Sequence, residues 1–548
     1  VRRLQTFAAW AAILVSAFAV RVLPIAAARP YIAYVDEGNF LHPAARILSS
    51  GGWDPGCYLY PQFPTTAALA AARAYAFLYR AGRGRAPWKR PTRPAEIYDE
   101  LEPFELLLAA RGIDVLLGMA IVALAAFLAA RLAGRRAALW AALLSGLNPA
   151  LVLRAPIATV DSWATLFVLL GLVLTDCTRT SRRPGLASLF AGAAAGCAFA
   201  SKYPAAAILV AFAATTLLQR LSGKETLRRT GLAAAGLLAG AVLAMPALVF
   251  RAREVRDAID TQAFLYSRIL SPPLWRQAFV RAEWDLPYEH AELGLPLVAL
   301  AALGLLAGCL DRRVAATLRG WVPYLAVCLV VYGRESFQPF RNLLPLTPLV
   351  CVAAALALAR AERRVRRPAW LQGLVLAWIA VSFAAPLAVQ ARERGSLVDS
   401  RVQAVNWLVA RIGPGDRVVV ARELGFVQRE LDRIGDHAEV HWSAEIGAVL
   451  PALQPRFVIA GLLGRSSGPD LDIGREPPLR AGYVARVRFG EKPTPPDNGW
   501  WRGNRQIVEV FERRSGAGEA AGQAAGEAAF DRICRRDCTA REPTKAAR

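Results

Sequence analysis

Histidine is scarce, with four residues in 548, and the one close pair, His437 and His441, falls on an expected strand without partner ligands. That argues against a metal site, which needs three or four converging donors. No glycine-rich phosphate loop follows an expected strand. No serine, histidine and aspartate stand in a hydrolase order either. The eight cysteines define no disulfide framework. Cys177, Cys197, Cys309, Cys328 and Cys351 lie in or beside apolar blocks, where a buried thiol is the ordinary expectation. Cys534 and Cys538 could bridge in an oxidising compartment, but they sit in a tail of weak structural signal. Acids are outnumbered, 43 Asp and Glu against 66 Lys and Arg, for a formal net charge of +23.

What the chain has is apolar length. Hydrophobic residues make up 55% and mean hydropathy is +0.31, and they come in blocks of about 20 residues rather than as a helical stripe. This is the pattern of a polytopic α-helical membrane protein. The blocks lie near 5–28, 106–130, 137–153, 160–175, 186–200, 204–219, 231–250, 291–310, 321–332, 343–359 and 370–389, which predicts about eleven spans. The first block has no small-residue cleavage pattern after it and reads as a retained span.

The basic excess then reads as topology and contact with anionic lipid rather than nucleic-acid binding. Alternate gaps carry it: Arg2 and Arg3; Arg131, Arg135 and Arg136; Arg179, Arg182 and Arg183; Arg220, Lys224, Arg228 and Arg229; Arg312, Arg313 and Arg319; Arg360, Arg363, Arg364, Arg366 and Arg367. The positive-inside rule makes these gaps and the N-terminus cytoplasmic. The loops 29–105, 154–160, 251–290 and 333–341, the region of Lys202 and everything after 390 then face outward. The 251–290 loop is also rich in arginine, but it is long and its arginines alternate with acids, so the assignment stands.

Two regions read as non-membrane. Residues 31–105 form a long outer loop rich in Pro, Tyr, Trp and Arg, of a length that is usually functional. Residues 390–514 read as a small α/β domain, with strands at 417–421, 439–442, 456–460 and 506–511 and helices at 401–411 and 423–434. From Ser515 onward Gly, Ala and Glu dominate, and a disordered tail is expected.

The polar residues concentrate at the outer ends of the spans. They include Asp36-Glu37-Gly38 after the first block, Tyr58-Leu-Tyr-Pro-Gln-Phe-Pro64, Asp161-Ser-Trp-Ala-Thr-Leu-Phe167, Gly196-Cys-Ala-Phe-Ala-Ser-Lys-Tyr203 and Phe340-Arg-Asn-Leu-Leu-Pro-Leu-Thr-Pro348. In this order and on one side of the membrane, over residues 1–390, they resemble the C-type membrane glycosyltransferases. They resemble in particular the bacterial relatives of the dolichyl-phosphate-mannose protein mannosyltransferases and of the lipid A aminoarabinose transferase. The resemblance implies transfer of a sugar from a polyprenyl-phosphate donor, by inverting displacement, to a lipid, glycan or protein acceptor. It also implies a bacterial plasma membrane setting with the C-terminal domain periplasmic or extracellular.

Such a transfer needs a carboxylate to take the acceptor proton and cations to hold the departing phosphate. No cofactor is required, since fixed cations can stabilise the phosphate; a divalent metal is compatible with the chemistry but not indicated. By resemblance Asp36 is the general base, with Glu37 as an alternative or as the partner that positions the acceptor. The other reading of the pair is a solvated acidic turn. Asp161 is the second carboxylate, although its position also suits a helix cap. Lys202 is a rare lysine in an arginine-rich chain and either grips a phosphate or snorkels to headgroups. Arg341 is a second phosphate cation or an interfacial anchor. Tyr58, Tyr60 and Tyr203 complete the substrate-binding set, with Tyr58 and Trp53 also suited to an aromatic belt. The chain departs from the aminoarabinose transferases in having Tyr60-Pro61-Gln62 where they have a lysine before a proline pair, and tyrosine supplies no charge there.

Two other functions fit a polytopic chain. A transporter or flippase of lipid-linked sugars would place ionisable residues at mid-membrane and show two similar halves. The one-sided polar clusters and the lack of a visible repeat favour the enzyme. A non-catalytic glycan-binding membrane protein is the third. Arg21, inside the first block, is left with no role beyond a polar contact within the bundle.

Overall fold

The computed structural model describes residues 2–26, 54–70, 104–268, 293–334, 340–365, 368–385 and most of 398–514, with isolated positions in 37–47 and 387–392. Asp36, Trp53, Cys534, Cys538, most of the 31–105 loop, the 269–292 half of the later loop and the expected tail from Ser515 lie outside the described residues. The described residues form two compact units, the second beginning at Val398.

The first unit is helical. Its helices are α1 (Arg2–Val22), α2 (Phe104–Ala133), α3 (Arg135–Leu147), α4 (Pro149–Arg154), α5 (Val160–Thr180), α6 (Pro184–Ser201), α7 (Ile208–Leu218) and α8 (Gly223–Ala244). They continue with α9 (Ala252–Arg268), α10 (Leu295–Leu310), α11 (Ala315–Arg334), α12 (Thr347–Arg364) and α13 (Pro368–Ile379). Among the described residues, five helical segments are long and apolar enough to cross a membrane: Leu107–Ala133, Val160–Thr180, Pro184–Ser201, Gly223–Ala244 and Arg341–Arg364. Five shorter apolar helices fall at other expected spans, Phe7–Val22, Tyr203–Leu218, Leu295–Leu310, Ala315–Val331 and Pro368–Ala384.

Two expected blocks are broken, each at a proline. The 137–153 block divides at Asn148, whose side chain accepts from Leu151 N at 3.3 Å and so caps α4, with Pro149 in its first turn; proline is tolerated there because that N–H has no helical partner. The 231–250 block divides at Met245, just before Pro246. The break at the end of α3 explains Arg21. This side chain, fully buried, donates from Nη1 to Gly146 O at 2.6 Å and Ala17 O at 2.8 Å, and from Nη2 to Ser145 O at 3.2 Å. It satisfies carbonyls that the end of a helix would otherwise leave orphaned where no water reaches.

The arginines of several gaps assigned to the cytoplasmic side meet at one end of the bundle. Arg131 of α2 binds Asp176 and Thr180 of α5, and Arg179 reaches Thr317 of α11. Arg229 of α8 reaches Thr178 O and Gln219. Residues Arg111 of α2 and Asp161 of α5 occupy the opposite ends of the same two helices.

Backbones approach most closely where α6 meets α8. A Cβ on Gly236 would stand 1.9 Å from Leu189 O, one on Gly192 1.9 Å from Ala233 O and one on Gly240 2.3 Å from Ala193 O. Small residues of this kind let membrane helices pack by contact alone. Because the obstructing atoms are backbone, they cannot swing aside. Gly236→Val is therefore expected to cost about 3 kcal/mol, the upper end for overpacking, whereas the same change at Gly231, with nothing within 4 Å, should leave the melting temperature in detergent nearly unchanged.

The second unit opens with α14 (Ser400–Val409), β1 (Arg417–Ala421), α15 (Gln428–Gly435), β2 (Glu439–Ser443), α16 (Ile446–Leu453) and β3 (Phe457–Leu463). It closes with β4 (Leu471–Asp472), α17 (Pro477–Gly482), β5 (Tyr483–Phe489) and β6 (Ile507–Arg513). The sheet runs β2-β1-β3-β6-β5, with β4 beside β3; β2, β1 and β3 are parallel and β4, β5 and β6 are antiparallel to their neighbours. Val418, Val419, Val420 and Ala421 are all buried, as a central parallel strand covered on both faces requires. The crossovers β1-α15-β2 and β2-α16-β3 step in opposite directions, which puts α15 and α16 on opposite faces. Four expected strands and both expected helices have counterparts here; β4, β5, α16 and α17 were not expected.

Candidate active site

The site is assembled around the N-terminus of α5. The turn 155–159 delivers the chain to Thr159, the residue before the helix, in extended conformation and without a cap bond from its own side chain. Asp161, in the first turn, is 3% exposed. Its Oδ1 accepts from Lys202 Nζ at 2.6 Å, and the same Nζ donates to Asn342 Oδ1 at 2.8 Å.

Lys202 reaches this place because it sits where α6 stops. Its backbone is extended, with φ −155° and ψ 114°, and a tight helical turn over Tyr203–Ala207 follows. The ammonium is buried, and two of its three N–H donors are engaged among the described residues. Arg341 and Asn342 come from a second tight turn, Phe340–Leu346, before α12, and both are buried. Two residues expected from sequence, Asp161 and Lys202, thus touch directly, with Arg341 adjacent in sequence to their third partner.

The 54–70 segment of the first loop is bound to the same region. Tyr203 Oη donates to Tyr58 O at 2.7 Å, and the ring of Phe63 meets Trp163 and Phe167 of α5 edge-on, at 5.1 and 5.5 Å between centroids. Tyr58 Oη donates to Asp54 Oδ1, which also accepts from Gly56 N at 2.8 Å, while Arg251 Nε donates to Asp54 Oδ2 at 3.1 Å. Gly56 has φ +62°, a backbone state that favours glycine. Burial pushes the Asp54 carboxyl up, but the bonds from Tyr58, Gly56 and Arg251 outweigh it and hold it below its ordinary value. Burial, followed by the bond to Asp54, raises the Tyr58 phenol. Tyr60 is half-buried in the same segment. Arg251, one of the arginines that complicated the topology, therefore joins the two long loops at one end of the bundle.

Glu37 is held differently. It is fully buried, its carboxylate forked on Arg111 of α2, with Nε to Oε1 at 2.7 Å and Nη2 to Oε2 at 2.8 Å. Ala158 N also donates to Oε1, at 3.1 Å, and Arg111 Nη1 donates to Ile25 O at 3.0 Å. One turn along α2, Asp114 Oδ2 accepts from Thr159 N at 2.8 Å. This geometry gives Glu37 a fixing role, securing the start of the first loop against α2 and the 155–159 turn. Sequence reasoning missed Arg111, Asp114, Asn342 and Asp54. The first two carried a usable signal, an arginine and an aspartate three apart inside an apolar block.

A family model described as dolichyl-phosphate-mannose-protein mannosyltransferase matches residues 105–250, the stretch that holds Arg111, Asp114, Asp161 and Lys202. No curated protein matches the chain. Among solved structures, ArnT from Cupriavidus metallidurans in the apo state aligns with TM-score 0.53 at 13% identity, over 92% of this chain and 97% of that one. The same protein bound to undecaprenyl phosphate aligns with TM-score 0.51 at 13% identity, over 92% and 98%. The oligosaccharyltransferase AglB from Archaeoglobus fulgidus gives TM-score 0.48 at 11% identity, over 84% and 70%. At these identities the likeness to ArnT is one of fold, and over residues 105–250 the chain is similar to the dolichyl-phosphate-mannose-protein mannosyltransferases.

Proposed function

We propose that the protein transfers a sugar from a polyprenyl-phosphate donor to a lipid, glycan or protein acceptor at the outer face of a bacterial plasma membrane. The N-terminus is cytoplasmic in this reading and the C-terminal unit lies outside. The observation that carries it is Lys202: a buried ammonium inside an apolar bundle, held by Asp161 and Asn342 with one donor left among the described residues, where the first loop docks. A cation so placed suits a lipid-linked phosphate, whose head lies at the boundary between water and hydrocarbon.

In the proposed reaction Lys202 and Arg341 hold the donor phosphate, and Tyr58, Tyr60 and Tyr203 shape the sugar and acceptor side. The acceptor oxygen attacks the anomeric carbon from the face opposite the phosphate. Its proton passes to Asp36, the bond from carbon to phosphate oxygen breaks, and polyprenyl phosphate leaves with the electron pair. Glu37, fixed by Arg111, secures the start of the first loop. The reaction needs no cofactor, because fixed cations can carry the phosphate charge.

The test is transfer of labelled sugar from a panel of polyprenyl-phosphate sugars by the full chain in lipid. Asp36→Asn is expected to lower turnover by about 10²- to 10⁴-fold, the range for a general base, while donor binding persists. Donor that is bound and moved across the bilayer without transfer, in wild type and Asp36→Asn alike, would point to a flippase instead.

A further inference from the structure

Asp114 has no part in the reaction as described, and its setting is unusual. It lies within α2, 1% exposed, and among the described residues no ion pair includes it. Buried carboxylates elsewhere in this end of the bundle have cations: Glu37 has Arg111, and Asp161 has Lys202. Asp114 has instead the backbone N–H of Thr159, while its Oδ1 and the Thr159 Oγ1 are both buried without a hydrogen-bond partner among the described residues. A carboxyl group buried on one N–H is costly to keep, so packing alone gives no reason for an acid here.

Its partner supplies the reason. Thr159 is the residue before α5, and its own side chain makes no cap bond, so the side chain of Asp114, from another helix, receives one of the N–H groups at the helix entrance. The preceding N–H, that of Ala158, goes to Glu37. Two consecutive N–H groups thus bind two carboxylates, one tied to the first loop and one to α2. Two residues later comes Asp161, bound to Lys202.

We propose that Asp114 is a positioning residue for sugar transfer, gauging the 158–161 segment so that the Glu37 end of the first loop and the Asp161–Lys202 pair stand at a fixed separation. The inference rests on the function proposed above. It acts through geometry, and a misplacement of about 1 Å in such a site costs on the order of 100-fold in rate.

Two variants in the full chain, reconstituted in lipid, test it. Asp114→Ala removes the acceptor of the Thr159 N–H; Asp114→Asn keeps one, because the amide oxygen can accept the same bond. Asp114→Ala is expected to lower kcat by about 100-fold, with KM for the polyprenyl-phosphate sugar changed less than about threefold. Asp114→Asn should recover most of that loss. Hydrogen exchange supplies a readout that needs no catalysis: the peptide spanning 155–162 should exchange faster in Asp114→Ala and at the wild-type rate in Asp114→Asn. Unchanged kcat in Asp114→Ala overturns the proposal, as does an Asp114→Asn variant as impaired as Asp114→Ala. If wild type transfers no sugar from any donor yet the exchange pattern holds, the reading of function fails and the gauging of the segment stands.

Discussion

Arg111→Met is expected to cost about 3–5 kcal/mol of stability, the loss typical of breaking a buried ion pair from one side, and to abolish sugar transfer. Glu37 and Arg111 are 0% and 1% exposed in their side chains and joined by two parallel bonds. Removing the guanidinium leaves a carboxylate buried with, among the described residues, only the Ala158 N–H for company. Removing both charges is a different matter, because apolar residues of similar volume can fill such a site at little or no net cost. The double variant Glu37→Met with Arg111→Met should therefore recover much of the stability in a detergent unfolding series while remaining inactive. A double variant as unstable as Arg111→Met alone would show that Arg111 works mainly through Ile25 O and not through Glu37.

The second large effect concerns Lys202 and Asp161, whose substitutions are expected to act in opposite directions on donor binding. On the proposed function Lys202 is a charged donor to the phosphate, and Lys202→Met should then weaken polyprenyl-phosphate binding roughly 10- to 150-fold, equivalent to about 1.5–3 kcal/mol for a hydrogen bond to a charged group. Asp161→Asn removes the anion that holds the same ammonium and that, on the proposed function, competes with the phosphate for it. Binding should then be as tight as wild type or tighter, although turnover falls. Equilibrium binding of radiolabelled polyprenyl phosphate to the two variants decides the matter. Equal loss in both would mean that the pair is a single structural unit and that Arg341 carries the phosphate.

Much of this arrangement was legible before any coordinates. Apolar blocks of bilayer length marked the helices, because a bundle in lipid must keep each backbone segment internally bonded. Asp161 and Lys202 stood out because each interrupts the edge of an apolar block, where an ionisable residue costs free energy unless it has a task. Their contact was not legible, since it depends on how α6 ends and on Asn342, 140 residues away in sequence from Lys202. Arg111 and Asp114 were absorbed into the block 106–130, where counting hydrophobic residues hides two charges in a long helix. In the second unit the alternation of β5 was masked by Arg486 and Arg488, which pair with Glu512 and Glu509 of β6. A strand whose exposed face is charged gives a weak hydrophobic signal. α16 was missed because Ile446–Leu453 is short and contains Pro451, which counts against a helix when context is ignored.

Arg21 also bears on how the protein reaches its membrane. A helix carrying an arginine in its last turn enters the bilayer at a penalty below the roughly 2.5–3.5 kcal/mol that insertion scales give for a helix centre, and the carbonyls that accept from Arg21 at the end of α3 lie as far as 125 residues downstream. During synthesis the first segment emerges long before those carbonyls exist. Until α3 has been made, Arg21 has Ala17 O within its own helix and, being in the last turn, can turn its guanidinium toward the lipid surface. Docking of α1 into the bundle is thereby coupled across the first loop to the formation of α3, whose Gly146 and Ser145 carbonyls complete the bonding of Arg21.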